Sequence, residues 1–330
     1  MNYLAPGLAL LCAVFCHQSV AQAFAPKTAG VSGDVFLGVI YLSQSSNLSA
    51  NDDADPLLTD YASSPDATSR GLPGIIGNIA YTFEGLDQQI YAGVSRSNAA
   101  QGRFAGEFGY RRFLQSGAVF EAAYIPSLLP EDVWQDPYLL NQTRTKTDQQ
   151  LHAVRAKLER ISGTGLGVEI GYGQLDVKRE TSGSSLAPEQ QAILKRDGEY
   201  GYLGVEFLLP LGRATFFTPS VYMFDRNADG KANSFNAFGA EFRLFHRTGR
   251  HSFIANAGYE FYDFDAVNPV FDERRQDNRF KLFTSYLLAE PFGWQSTSFT
   301  VLASLNDRDS DVDFFDESGL FAGAGFTYAF

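Results

Sequence analysis

The chain has 330 residues with 38 acidic and 26 basic side chains, a net charge of −12 and no basic run, which argues against a nucleic-acid partner. Both cysteines, Cys12 and Cys16, fall within the first 23 residues. Beyond that segment there is no disulfide, no thiol nucleophile and no cysteine zinc site. Phenylalanine (29) and tyrosine (16) are abundant, yet past the N-terminus no apolar run approaches the ~20 residues of a spanning helix, so any membrane form crosses as strands.

Residues 1–23 carry no charged side chain, residues 4–15 are apolar, and Ala21-Gln22-Ala23 is an A-x-A cleavage site. This reads as a secretory signal removed after Ala23, leaving 24–330 as a single domain. Leu11 and Phe15 precede the two cysteines where a lipoprotein signal needs a small residue, which argues against a lipid anchor.

From there the chain alternates. Candidate strands are 32–43, 75–84, 89–97, 102–114, 118–126, 146–161, 166–178, 199–209, 214–225, 234–247, 251–264, 277–289, 296–306 and 318–330. Their connections are alternately short (85–88, 115–117, 162–165, 210–213, 248–250, 290–295) and, with the exception of 98–101, long (44–73, 127–145, 179–198, 226–233, 265–276, 307–317). Strands with tight turns at one end and long loops at the other predict an all-β fold, a transmembrane antiparallel up-and-down barrel of about 14 strands. The turns are then periplasmic and the loops extracellular. Pro219 removes a ladder donor inside 214–225 and predicts a bulge or strand end. Within the loop 179–198, residues 186–195 read as a short helix with Pro188 in its first turn and Ser184 or Ser185 as cap, serving as a lid, a plug or plain loop packing.

The strands alternate in polarity. Arg243 and Glu241 oppose Phe238 and Phe242; Arg279 and Lys281 oppose Phe280 and Leu282. In lipid the polar side is the lumen. The expected lumen charges are Glu107, Glu121, Glu159, Glu169, Glu206, Glu241 and Glu260 against Arg103, Arg111, Arg155, Lys157, Arg243, Arg279 and Lys281, seven of each sign. Mixed signs on neighbouring strands pair across the wall and hold the interior partly closed.

Three patterns raise the question of chemistry. Asp225, Asn227 and Asp229, followed by Gly230, match the first half of a calcium loop, but Asn236 stands where a bidentate glutamate is needed; the other reading is an Asp-Gly turn. No cofactor is expected; calcium at the outer loops is the one candidate. Asp307, Asp309, Asp311 and Asp313 alternate and read as a solvated rim, divalent bridges to lipopolysaccharide being the other reading; with Asp52, Asp53 and Asp55 they make an acidic outer mouth that raises local cation concentration. Catalytic groups are few: the three histidines past the signal are His152, His246 and His251, of which His152 is the best-placed base. Trp134, beside Asp136, either stacks on sugars or packs its loop into the mouth.

The last residues, LFAGAGFTYAF, form a strand with no charge that ends on an aromatic. It resembles the closing strand of bacterial outer-membrane barrels, with Phe326, Tyr328 and Phe330 on one side; the resemblance implies that the barrel assembly machinery reads it. The phrases WQDPYL (134–139), DGKANSFNAFGAE (229–241) and NPVFDERRQDN (268–278), with that ending, resemble a family of uncharacterised gammaproteobacterial outer-membrane proteins. The resemblance implies location and barrel fold and supplies no activity. The expected function is porin-like passage of small hydrophilic solutes or ions, with outer-membrane lipid and lipopolysaccharide as surroundings. The alternatives are a non-conducting barrel that displays its loops to a partner, and an outer-membrane hydrolase using His152.

Overall fold

The computed structural model describes residues 26, 28–50, 54–61, 67–94, 106–127 and 130–330. Its strands are β1 (Gly30–Ser45), β2 (Thr68–Thr82), β3 (Gln88–Gly93), β4 (Glu107–Phe113), β5 (Val119–Pro126), β6 (Glu131–Trp134), β7 (Lys146–Glu159), β8 (Leu166–Val177), β9 (Gly198–Phe207), β10 (Leu209–Pro210), β11 (Thr215–Ala228), β12 (Phe235–Thr248), β13 (His251–Asn268), β14 (Glu273–Ala289), β15 (Thr297–Ser310) and β16 (Glu317–Ala329). Neighbours in the wall are antiparallel and follow chain order. β16 pairs with β1 from Asp34↔Ala329 to Ser45↔Ser318, which closes the sheet on itself. β6 pairs along its length with β7 and meets Ser49 through one isolated bridge, and β10 continues the line of β9, so the wall is a closed barrel of 14 strands. Closure leaves no sheet edge, the condition for a strand to cross lipid.

Pro219 acts differently from a bulge. It pairs in unbroken register with Phe242 on the β12 side. On the other side the ladder runs to Ser220↔Glu206, lapses, and resumes in the same register at Phe217↔Leu209. The missing donor therefore splits β9 from β10 without inserting a residue.

Several strands outrun the sequence expectation at their outer ends. β2 begins at Thr68, taking in Pro73 opposite Val39, where the sequence placed loop. β13 runs to Asn268, β14 starts at Glu273 and β15 reaches Ser310. The reason is visible on the outer face. In the register row Asp225↔Asn236↔Asp263↔Gln276 the outward residues turn polar while the ladder continues. Below that row the outward side chains are apolar and open: Phe238 is 60% exposed, Phe242 53% and Phe280 49%. An apolar outer wall of this height belongs in hydrocarbon; the polar extension above it stands in water. Among residues described, no helix is long and apolar enough to span.

The short helix is Pro188–Ile193, and its cap is Ala187, not Ser184 or Ser185. The Ala187 N–H instead donates to Gln190 Oε1 at 3.3 Å. Ser184 is drawn away because its Oγ donates to Asp136 Oδ2 at 2.7 Å.

On the inner face, aromatic rings lie flat against glycines of the next strand. A Cβ at Gly109 would sit 2.3 Å from Tyr91 Cζ, and one at Gly239 would sit 2.3 Å from Tyr222 Cε2. Glycine is required there for close approach. Gly109→Ala is expected to displace Tyr91 from the wall and lower stability by about 1–3 kcal/mol in denaturant unfolding, the usual range for an overpacked site. No loss would mean that the ring is not held where the structure places it.

Candidate functional site

The inner wall carries ionised groups in three belts. The first begins on β3, β4, β5 and β7. Arg155 donates to both Glu107 and Glu121, and Arg111 donates to Glu121. Arg111 Nη1 also reaches Gln89 Oε1 at 2.9 Å, and its guanidinium lies 3.9 Å from the Tyr91 ring centroid. Tyr91 donates to Glu107. Lys157 continues this belt, with Glu159 at 2.8 Å, Glu206 at 2.7 Å and Glu169 at 4.0 Å. Alternation of period two puts these side chains on one face, and the register Glu121↔Lys157↔Glu169 sets them beside one another.

The second belt lies on β11 to β15. Glu260 is fully buried and accepts from Lys281, from Tyr222 Oη at 2.6 Å and from Tyr262 Oη at 2.8 Å, with Arg279 at 3.9 Å. Arg279 Nε donates to Asn306 Oδ1 at 2.5 Å. Arg243 faces Glu241 at 3.5 Å. The third belt is higher and was not foreseen. Arg275 forks onto Asp277 at 2.7 and 2.5 Å. Arg308 lies 3.6 Å from Asp277 and 3.9 Å from Glu317, and Ser46 Oγ donates to Glu317 at 2.9 Å. The sequence carried a signal for it, since Arg275, Asp277, Arg279 and Lys281 alternate, but the acidic outward residues beside them read as loop.

Every expected lumen charge within the described residues therefore lies on the inner face; Arg103 lies outside the described residues. Most are buried and paired, so the lining is drawn in against itself. Apolar groups fill the spaces between belts. One cluster, including Leu151, Tyr200, Phe224, Phe235 and Phe264, lines the arc from β5 to β13. Another, Phe36, Ile40, Ile76, Phe283, Leu302 and Phe321, lines the arc around β1 and β16.

The outer mouth is roofed. Leu48, Leu58, Tyr138, Leu194, Ala232, Val312, Phe314 and Phe315 form one buried cluster, with Phe271 and Tyr61 packed on it. These residues come from the connections β1–β2, β6–β7, β8–β9, β11–β12, β13–β14 and β15–β16, six of the long loops. Polar hubs fasten the roof. Asp136 accepts from the N–H groups of Tyr138 (2.9 Å), Gly183 (3.0 Å) and Ser184 (2.8 Å). Arg144 donates to the carbonyls of Asn47 (3.0 Å) and Asp55 (2.8 Å) and lies 4.3 Å from the Trp134 ring centroid. Burial draws the Arg144 guanidinium down to about 10. Trp134 is 1% exposed, so its faces are taken by the protein and are not open to a sugar. The helix contributes through Ile193 and Leu194 to the roof.

The remaining candidates lie outside the lumen. Asp225 and Asn227 stand at strand spacing on the outer face, and Asn227 Oδ1 accepts from Lys231 Nζ at 3.0 Å. Side chains so placed do not converge as a calcium loop's do, and among the described residues no group of three acidic or histidine side chains is placed to hold a metal. Asp307, Asp309, Asp311 and Asp313 form an exposed stripe; Asp52 and Asp53 lie outside the described residues. The histidines face outward beside Tyr124 (2.8 Å to His152), Thr215 (2.9 Å to His246) and Tyr286 (2.9 Å to His251). Phe326, Tyr328 and Phe330 lie on the outer face at the periplasmic end, where Gly33 and Phe330 exchange backbone hydrogen bonds of 2.9 and 3.0 Å.

An apolar outer wall, a charged inner wall and a closed 14-strand ladder define a porin-like outer-membrane β-barrel. Residues 30–329 match the family described as "Protein of unknown function (DUF2860)", and the chain belongs to it. No curated protein matches the chain. Among solved structures it is similar to the outer membrane channel DcaP of Acinetobacter baumannii, at 9% identity over 93% of this chain and 99% of that one, with a TM-score of 0.40. OccAB3 of Acinetobacter baumannii gives 10% identity over 91% and 99%, with a TM-score of 0.39. A TodX monoaromatic hydrocarbon channel mutant gives 10% over 93% and 91%, with a TM-score of 0.48.

Proposed function

We propose that this barrel is a narrow porin-like channel for small hydrophilic solutes or ions, closed in this conformation by its loop roof. The observation that carries the reading is the inner wall itself. Ionised groups of both signs line it from Glu107 and Lys157 through Glu260 to Asp277. A lining of this kind hydrates readily once the groups part, whereas an apolar one dewets. The belts are anchored to neighbouring strands, so the path narrows without a separate plug domain.

Planar-bilayer recording of refolded protein tests this. Small ohmic steps with frequent closures are expected, and steps that grow when the roof loops are shortened. A flat baseline with loops shortened and the barrel folded would overturn the channel reading. That outcome would favour the second reading, a non-conducting barrel that displays its surface. The specific observation behind the second reading is that six loops converge on one apolar roof, which gives a defined outer surface.

A further inference from the structure

We infer that the inner face of the wall beneath the roof holds a binding site for a small oxyanion, with Arg226 and Arg196 as its donors. Arg226 is 5% exposed, on the inner face of β11 near its outer end. Its guanidinium lies 5.2 Å from the Tyr200 ring centroid, and its Nη2 donates to the Arg196 carbonyl. No carboxylate among the described residues forms an ion pair with it. Its Nε has no hydrogen-bond acceptor.

Arg196 is 2% exposed. Its Nε donates to Glu180 Oε1 at 2.6 Å and its Nη2 to the Trp134 carbonyl at 2.7 Å, while its Nη1 has no acceptor. Burial weighs most on Arg226, and the groups acting on it include Tyr200, Arg196, Glu180 and Arg275. Glu180 is engaged by Arg196, and Arg275 is engaged by Asp277. Arg226 thus keeps no carboxylate of its own among the described residues, and a guanidinium without an ion pair sits in a buried place.

An arginine does not shed its proton to relieve that charge. A water molecule would satisfy a donor and leave the charge in place. An oxyanion does both, and the planar guanidinium fork suits a carboxylate or phosphate oxygen. Lower in the barrel the orphaned Nε and Nη1 of Arg155 belong to a guanidinium already paired with Glu107 and Glu121, and need no such ligand. The inference does not depend on conduction, since a closed barrel binds the same anion.

Trp134 provides a native reporter, because its carbonyl is bonded to Arg196 and the chain has only 2 tryptophans. In a Trp294→Phe background, full-length refolded protein is titrated with inorganic phosphate and separately with acetate at constant ionic strength, with chloride as the balancing ion. A saturable change in Trp134 emission is expected for at least one oxyanion. Arg226→Gln should weaken it about tenfold or more, the scale of one charge-assisted hydrogen bond, and Arg226→Lys should retain part of it. Heat-modifiable gel migration shows that each variant is folded. The proposal is overturned if folded Trp294→Phe protein gives no saturable response to either anion, or if folded Arg226→Gln responds as its parent does.

Discussion

Replacing Arg155 with leucine is expected to be the most damaging single change in the lumen. The side chain bridges Glu107 and Glu121, and all three are buried. Removing the cation leaves Glu107 with the Tyr91 hydroxyl and no arginine, and takes from Glu121 one of the two arginines paired with it. Losing one partner of a buried pair costs about 3–5 kcal/mol, mostly because the remaining charge stays desolvated. Denaturant unfolding of the refolded barrel should show a loss of that size. The double variant Arg155→Leu with Glu107→Gln should recover a good part of it, since the stranded charge is then gone. A loss below about 1 kcal/mol would place these groups on the scale of solvent-exposed pairs. The lumen would then be wide and wet, and the constriction argued from the belts would fall.

Truncating Phe314 and Phe315 together to alanine should open the mouth. Both rings are buried, and they pack edge to face with centroids 5.1 Å apart. Phe314 also meets Tyr61, Tyr138 and Phe271, at 5.7, 5.5 and 5.2 Å. A buried phenylalanine is worth about 3–5 kcal/mol on truncation. Here the loss falls on the roof and not on the strand ladder, so it appears as local opening. Proteases should cut the outer loops faster while the barrel itself stays resistant. Single-channel steps should be larger or longer-lived than those of the parent. If the loops become protease-sensitive and conductance stays unchanged, the roof is not what limits passage.

The barrel was legible in the sequence because it rests on a period of two that lipid enforces on every strand. The faces of β12 and β14 follow from alternate residues alone: Phe238 and Phe280 point out, Glu241 and Arg279 point in. The alternation of short and long connections set the direction of the hairpins. Legibility failed where its physical cause failed. Above the row Asp225–Asn236–Asp263–Gln276 no hydrocarbon demands apolar side chains, so the outward residues become acidic and strand looks like loop. Arg275 and Arg308 were missed for that reason; Asp277, the first residue of the expected strand 277–289, was not read as lumen lining. The roof was missed for another. Leu48, Tyr138, Phe271 and Phe314 come from loops far apart in the chain, and no local period connects them. Arg226 was hidden inside a pattern read as calcium ligands, where attention fell on the acidic residues either side of it.

The extension of β13, β14 and β15 past the lipid boundary has a mechanical outcome. Asn268 and Glu273 pair at the top of a stretch in which Arg274 and Asp263 also hold together outside the bilayer. That rim stands as a chimney in the aqueous layer, and the loops that follow β13 and β15 rise from it into the roof. Their closure is therefore braced by protein alone, so the cover should behave alike in a detergent micelle, a thin bilayer or a thick one.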